Sequence, residues 1–421
     1  MKQLHKRFET KQVKELLGKY ESGNVEREVL EEILGIGKAH FFRLLKAYRS
    51  AGEKFSIDHK RTVNTNEVED GVDDLILEEL KEQKELIDNP QIPTYRYNYS
   101  WASQEILRKH KVEVCRQTII NRAKLWGYYK SRGKAKQAHD RIVYTNNIGE
   151  LIQHDSSHHL FAPFANVKWY LITSIDDYSR LLLEARFIDA ESSIEHIKSL
   201  ERVFTHHGFP LRYYSDSHSI FRFVAGRDEI LLHKNAYIET DGIDTQWLQV
   251  LKECGVNQSY ALSPQAKGKI ERPYQWVQDH IIRRCYSDKV VNISDGQQIL
   301  NEEVKQYNFK RIHSTTGEVP YYRFQKAKKE GTNLFRQFVI PKPFVSKKDI
   351  FSLRFQRRSN GYRQISLKTL NLKVNGLNPY DDVEIRLYKL SPEASQLRFW
   401  RNDKLLDVQV IKNALLKGIH F

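Results

Sequence analysis

The sequence predicts three kinds of fold in one chain: all-α helix-turn-helix units at the N-terminus, a central α/β mixed sheet, and a small all-β barrel at the C-terminus. Three observations predict it. Apolar residues recur at helical spacing from Val13 to Trp126, interrupted by glycine and proline. From Glu150 to Tyr286, β-rich runs alternate with turn clusters and amphipathic helices. Towards the C-terminus the pattern becomes strict alternation, as in Val383-Glu384-Ile385-Arg386-Leu387, with Arg401-Asn402-Asp403 as a turn between two further runs.

Taken in order, residues 1–60 read as a helix-turn-helix domain. Helices are expected over Thr10–Tyr20, Glu26–Leu34 and Lys38–Ser50, with Gly35-Ile36-Gly37 as the short turn. The third turns Phe41, Leu44, Leu45 and Tyr48 inward and carries Lys38, His40, Arg43, Lys46 and Arg49 on its other face. A cationic helix of this kind suits a DNA major groove. After a polar link the pattern repeats over 70–128: a helix at Val72–Leu86, the break at Asn89-Pro90, a helix at Ser100–His110, and a second recognition helix at Cys115–Trp126. Arg116, Gln117, Asn121, Arg122 and Lys124 are its candidates for DNA contact. A basic linker, 129–148, carries Lys130, Arg132, Lys134, Lys136 and Arg141.

The core is expected over 149–290. Leu151–Asp155 is a short strand ending in an acid; Trp169–Ile175 and Leu181–Phe187 complete an antiparallel meander around Asp176-Asp177-Tyr178-Ser179-Arg180. Ile194, Ile197, Leu200, Val203 and Phe204 mark a crossover helix closed by Gly208 and Pro210, which forces the next strand, Leu211–Asp216, to run parallel. A helix at Thr245–Cys254, a strand at Asn257–Leu262 and a long helix carrying Glu271 follow. If the first and fourth strands are neighbours, Asp155 and Asp216 emerge at one sheet edge, where open α/β sheets place their sites. Glu271, in the first turn of the last helix, can reach the same point. Three converging carboxylates repel one another unless a cation joins them, and Mg²⁺ takes oxygen ligands; a pair of ions would activate an attacking oxygen and stabilise a leaving one at phosphorus. Beyond the core, 291–335 reads as a helical extension and 336–421 as the barrel.

The motifs His154-Asp155-Ser156-Ser157-His158-His159, Tyr214-Ser215-Asp216-Ser217-His218-Ser219-Ile220-Phe221 and Ser263-Pro264-Gln265-Ala266-Lys267-Gly268-Lys269-Ile270-Glu271-Arg272 resemble those of DDE-type transposases of bacterial insertion sequences. These share a ribonuclease H-like core with retroviral integrases. The resemblance implies Asp155, Asp216 and Glu271 as a catalytic triad holding two Mg²⁺ ions, with Mn²⁺ able to substitute. His158, His159 and His218 are kept out of the ligand set as hydrogen-bond partners of the acids. Lys267 and Lys269 flank Gly268 where DNA phosphate would lie. One departure is visible: the second and third acids stand 271 − 216 = 55 positions apart, longer than in retroviral integrases, and the excess falls in an insertion at Arg222–Asp244. Two recognition helices in tandem resemble the end-binding region of such transposases.

Composition agrees with a polyanion partner. The chain of 421 residues has a formal net charge of +15 and a pI near 9.4, with the positive charge dispersed along it. Its three cysteines, Cys115, Cys254 and Cys285, form no Cys-x-x-Cys pair, which argues against structural zinc and against a secreted disulfide framework. The N-terminus lacks an apolar signal core, so the expectation is a cytoplasmic, nucleoid-associated protein without a membrane or small-molecule substrate. Function is expected to be binding of the element's terminal inverted repeats, metal-dependent strand cleavage, and transfer of the freed end to target DNA, by a homo-oligomer on DNA. The alternatives are a catalytically inactive helix-turn-helix regulator, which needs no acids, and a ribonuclease H-like nuclease, which needs no recognition helices. The barrel is expected to bind DNA or a partner subunit, or to pack on the core.

Overall fold

The computed structural model describes residues 4, 7–57, 71–130, 145–216, 218–222, 244–260, 268–368, 370–416 and 419. The chain forms two compact units, Met1–Val72 and Asp73–Phe421.

The first unit contains three helices, α1 (Thr10–Glu21), α2 (Arg27–Leu34) and α3 (Lys38–Ala51), each within two residues of its predicted bounds. Val13, Leu17, Leu30, Leu34, Phe41 and Leu45 form its core, with Tyr20 set edge-on against Phe41 at 5.0 Å. Gly35 ends α2 in the left-handed region (φ 62°), which lets the chain turn directly into α3. The predicted apolar stripe of α3 is therefore spent inside the unit, leaving Lys38, Arg43 and Lys46 exposed.

The second unit begins with α4 (Val72–Asp88), α5 (Tyr99–His110) and α6 (Arg116–Leu125). Its sheet is five-stranded, in the order β3 (Leu182–Ile188), β2 (Trp169–Asp176), β1 (Leu151–His159), β4 (Arg212–Ser215), β5 (Asn257–Tyr260). β1, β2 and β3 form the predicted antiparallel meander, and β4 joins β1 in parallel through the crossover helix α7 (Ser193–His207), as does β5 with β4 after α8 (Gln246–Glu253). Side chains alternate across this sheet. Ile152 and Tyr213 enter a core with Ile197, Leu200 and Phe204 of α7 and Trp247 and Leu251 of α8. Leu151 and Tyr214 enter the opposite core with Val277, Ile281 and Ile282 of α9 (Gly268–Ser287) and Leu300 of α10 (Ile293–Phe309). Gly296 of α10 lies so close to Trp169 that an added Cβ would stand 2.5 Å from the indole.

Two expectations are corrected. β1 does not stop at Asp155 but runs on to His159, because β2 continues to pair with it through His159↔Trp169 after β4 has ended. Nor is the C-terminal region a closed barrel. After α11 (Pro320–Lys329) and the short α12 (Lys347–Ile350) come β6 (Leu353–Arg358), a separate hairpin of β7 (Gln364–Leu367) and β8 (Leu370–Lys373), then β9 (Asp382–Lys389), β10 (Ala394–Arg401) and β11 (Lys404–Lys412). The four-stranded antiparallel sheet has the order β11-β10-β9-β6 and is open, with β11 and β6 on opposite edges. Its apolar face, Leu353, Ile385, Leu387, Leu397 and Phe399, shares the core of α7 and α8. The β7–β8 hairpin brings Ile365 and Leu367 into the same cluster, so this face is buried without β11 and β6 pairing into a closed barrel; Arg354, Arg386 and Tyr388 alternate with the apolar residues and lie on the opposite face. Polar contacts fix the docking: Tyr388 donates to Glu201 at 3.0 Å, and Glu253 accepts from both Arg354 and Arg386.

Candidate functional site

The register of β1 with β4 decides how the first two acids stand. The printed pairs run Leu151↔Arg212, Ile152↔Tyr213 and Gln153↔Tyr214; carried two residues further, the same offset sets Asp155 level with Asp216. Alternation fixes the face. Asp155 shares the face of Leu151, and Asp216, one residue past β4, that of Tyr214; both belong to the side covered by α9. Both acids are half-buried, so each keeps an approach from solvent. Asp216 accepts from the backbone N–H of His218 at 3.0 Å, which orients its carboxylate.

Glu271 occupies the first turn of α9. The helix is anchored to the strand by Gln278, which donates to Ser157 at 2.8 Å, and Ser157 lies on the same face of β1 as Asp155. Position 271 precedes 278 by seven residues, two helical turns, so the two positions share a helix face. Position 271 thus lies on the helix face that carries Gln278. Lys267 lies outside the described residues, as do the loop from Ala261 and 223–243 of the expected insertion; Lys269 falls in the first turn of α9. The described residues hold no group of three His, Cys, Asp or Glu side chains close enough to bind a metal. Of the expected set, two carboxylates and the backbone position of the third are described.

On the other face of β1 runs a buried polar chain that the sequence did not reveal. Ser174 Oγ meets His154 Nδ1 at 2.8 Å, His154 Nε2 meets His196 Nδ1 at 2.8 Å, and His196 Nε2 meets Glu191 Oε1 at 2.9 Å. Glu191 also accepts from Ser156. One assignment satisfies every atom: Ser174 donates to His154, His154 to His196, and His196 to an ionised Glu191. Burial pushes the Glu191 carboxyl up, but the hydrogen bonds from His196 and Ser156 outweigh it and hold the group at about 2. Burial lowers the His196 pKa, favouring its neutral form. The ring of His154 stacks on Trp247 at 4.7 Å. Asp155 is therefore flanked by two residues, His154 and Ser156, whose side chains are tied to α7, α8 and β2, so the strand cannot twist locally without breaking this chain. His154 stood in the first motif, but its partners lie 20 and 42 positions away and share no spacing with it.

His158 stacks on Tyr170 at 4.0 Å and His159 on the edge of Phe161, so both pack against aromatics. In the first unit, Lys38, Arg43 and Lys46 are exposed on α3, and none of them forms an ion pair among the described residues. In the second, Arg116, Gln117 and Asn121 are exposed on α6, with Gln117 donating to Asn121 at 3.0 Å. The segment from α4 to α6 does not stand apart from the sheet's helices: Asn98 donates to Asp279 at 2.8 Å, Arg108 to Asp288 at 2.6 Å, and Trp101 meets His280 edge-on at 5.0 Å.

No protein-family model matches the chain. In sequence it is 28% identical over 296 residues to y4bF of Sinorhizobium fredii, a protein whose name as a transposase is provisional; the match covers 70% of this chain and 60% of that protein. It is 27% identical over 173 residues to the transposase for insertion sequence IS1202 of Streptococcus pneumoniae, covering 41% of this chain and 35% of the other. The chain thus spans less than two thirds of the length of these relatives. Among solved structures, the catalytic core domain of BIV integrase aligns with 19% identity over 44% of this chain and 98% of that one, at a TM-score of 0.30. The simian T-cell lymphotropic virus intasome in complex with the PP2A regulatory subunit B56 gamma aligns with 14% identity over 72% of this chain and 94% of that one, at 0.35. No helix of the described residues is long and apolar enough to cross a membrane. By sequence, this chain is a homologue of bacterial transposases, the class that its three acidic motifs resemble.

Proposed function

We propose that the chain is a DDE-type transposase that binds the ends of its own element, cuts them by hydrolysis and joins the freed 3′-hydroxyl to target DNA. The observation that carries the reading is the parallel register of β1 with β4, which, continued past the end of their ladder, brings Asp155 and Asp216 to one edge of a mixed sheet, in a chain homologous to transposases. Asp155, Asp216 and Glu271 form the acidic site. Carboxylate oxygens are the donors that Mg²⁺ or Mn²⁺ prefers, and a pair of such ions would polarise the phosphate and activate the attacking oxygen. The protein's part is positional. The His154–His196–Glu191 chain stiffens β1 around Asp155, the His218 N–H orients Asp216, and the Gln278–Ser157 bond holds α9 against the strand. Cleavage and joining are both displacements at phosphorus, so one site serves both, with water or a DNA hydroxyl as nucleophile.

The N-terminal region, 1–60 and 70–128, supplies end recognition by two helix-turn-helix units, through Lys38, Arg43 and Lys46 of α3 and Arg116, Gln117 and Asn121 of α6. Lys267 and Lys269 contact phosphate near the scissile bond. The protein works as a multimer, since two DNA ends must be held while one chain supplies one triad. The test is strand cleavage and transfer by the wild-type protein on labelled duplexes taken from the DNA flanking its coding region. Mg²⁺-dependent cutting and joining is expected; specific binding with neither reaction would favour the regulator, and cutting without joining the nuclease.

A further inference from the structure

A cleft of about 1900 Å³ opens between the 93–130 segment and helices α9 and α10, and neither Asp155 nor Asp216 lines it. Its walls combine two features. The first is unbalanced charge. The acids on the wall all have cationic neighbours: Glu105 has Arg108, Asp279 has Arg283 at 2.9 Å, and Glu302 and Glu303 share Arg284, with the His280 ring also against Glu303. By contrast, Arg96, Arg116, Lys124, Lys130, Lys310 and Arg311 line the same cleft with no carboxylate partner among the described residues. Arg311 lies over Trp276 at 4.3 Å, and its Nη1 is buried without a hydrogen-bond partner among the described residues.

The second feature is a run of aromatic faces. Tyr97 stacks on Tyr99 and Tyr99 on Tyr129, each pair 6.2 Å apart and within 16° of parallel. Lys124 stands 5.0 Å over Tyr129, and Tyr95 at the end of the run is 73% exposed. Unpaired cations interleaved with aromatic faces suit a strand whose phosphates and base faces are both available. A duplex offers its phosphates but hides its base faces within its own stack and shows only their edges. The cleft therefore fits single-stranded DNA better than double-stranded.

We propose that this cleft binds an unpaired DNA strand, with phosphates along the basic wall and bases stacked against the tyrosines. The inference rests on the DNA reading of the chain and adds the form of DNA. Helix α6 supplies one wall through Arg116, Gln117 and Lys124, so a duplex end held by α6 would deliver its frayed strand into the cleft.

The experiment is equilibrium binding of the full-length protein, without divalent metal, to a labelled oligothymidylate of about twenty nucleotides and to a blunt random duplex of equal length. Tyr95→Ala combined with Tyr129→Ala should weaken oligothymidylate binding about tenfold or more while leaving duplex binding within about twofold. Tyr129→Phe should retain it, because the ring face persists. Circular dichroism melting of the double variant checks that the fold is kept. Unchanged oligothymidylate affinity in the double variant, or equal loss on both DNAs, would overturn the proposal. A wild-type protein that binds duplex but not oligothymidylate overturns this inference alone, whereas one that binds neither overturns the DNA reading with it.

Discussion

Replacing Glu253 with glutamine should loosen the C-terminal sheet from the helices it covers. The Glu253 carboxylate, at the end of α8, accepts from Arg354 of β6 and from Arg386 of β9, using both oxygens for each guanidinium. The arginine side chains are only 4% and 5% exposed and the carboxylate 20%. Glutamine keeps the shape but removes the charge and turns an N–H₂ group towards one of the donors. Arg354 then loses its carboxylate partner, while Arg386 keeps only Glu384; removing one partner of a buried pair costs about 3–5 kcal/mol. At about 1.4 kcal/mol per decade, the population with the sheet undocked should rise by two to three orders of magnitude. Proteolysis at the connector 337–346, under conditions where opening is fast relative to cleavage, reads that population directly. Adding Arg354→Met should restore much of the loss, because the stranded charge goes with the acid. A Glu253→Gln protein cleaved no faster than wild type would refute the view that this triad clamps the sheet.

Three further outcomes follow from the same structure. Burial lowers the His207 pKa to about 4, against an ordinary value of 6.5, as it packs between Phe324 and Phe335. Its neutral form therefore contributes stability that is complete above pH 6.5 and is lost as pH falls towards 4. His207→Gln should flatten denaturation midpoints across that window by up to about 3 kcal/mol, and an unchanged pH slope would contradict it. Gly296→Ala must push a methyl against Trp169 and should cost about 1–3 kcal/mol by thermal melting with indole fluorescence; an unshifted melt would mean the helix can retreat freely. Combined Lys38→Ala, Arg43→Ala and Lys46→Ala should weaken DNA binding and lower the slope of log affinity against log salt by about 2–3; an unchanged slope would remove α3 from the DNA surface.

The parts legible in the sequence were those fixed by local periodicity. The apolar stripes of α1, α3 and α7 were readable because each helix buries one face, and the parallel β4 followed from the crossover helix before it. The adjacency of the two strands that carry Asp155 and Asp216 followed from the same crossover. The continuation of β1 to His159 was not, since Ser156-Ser157-His158-His159 has no β-forming pattern and is extended only by pairing with β2. The open C-terminal sheet was equally hidden. Alternation shows that one face is apolar but not that the opposite face docks on helices, through Glu253 with Arg386 across 133 positions and Glu201 with Tyr388 across 187. The docking of the 93–130 segment on α9 depends on pairs such as Asn98 with Asp279, 181 positions apart, for the same reason.

The most direct test of the central claim is metal-dependent cleavage and strand transfer on a labelled end duplex by Glu271→Gln, beside Asp155→Asn and Asp216→Asn. If the three acids form one metal site, each isosteric change should abolish both reactions while end binding and the thermal melt persist, and combining changes should add little, because the residues act as a unit. If Glu271 were only an acid at a helix start, its loss would cost about 0.3–1 kcal/mol of stability and leave turnover nearly intact. Near-wild-type cleavage by Glu271→Gln would contradict the account.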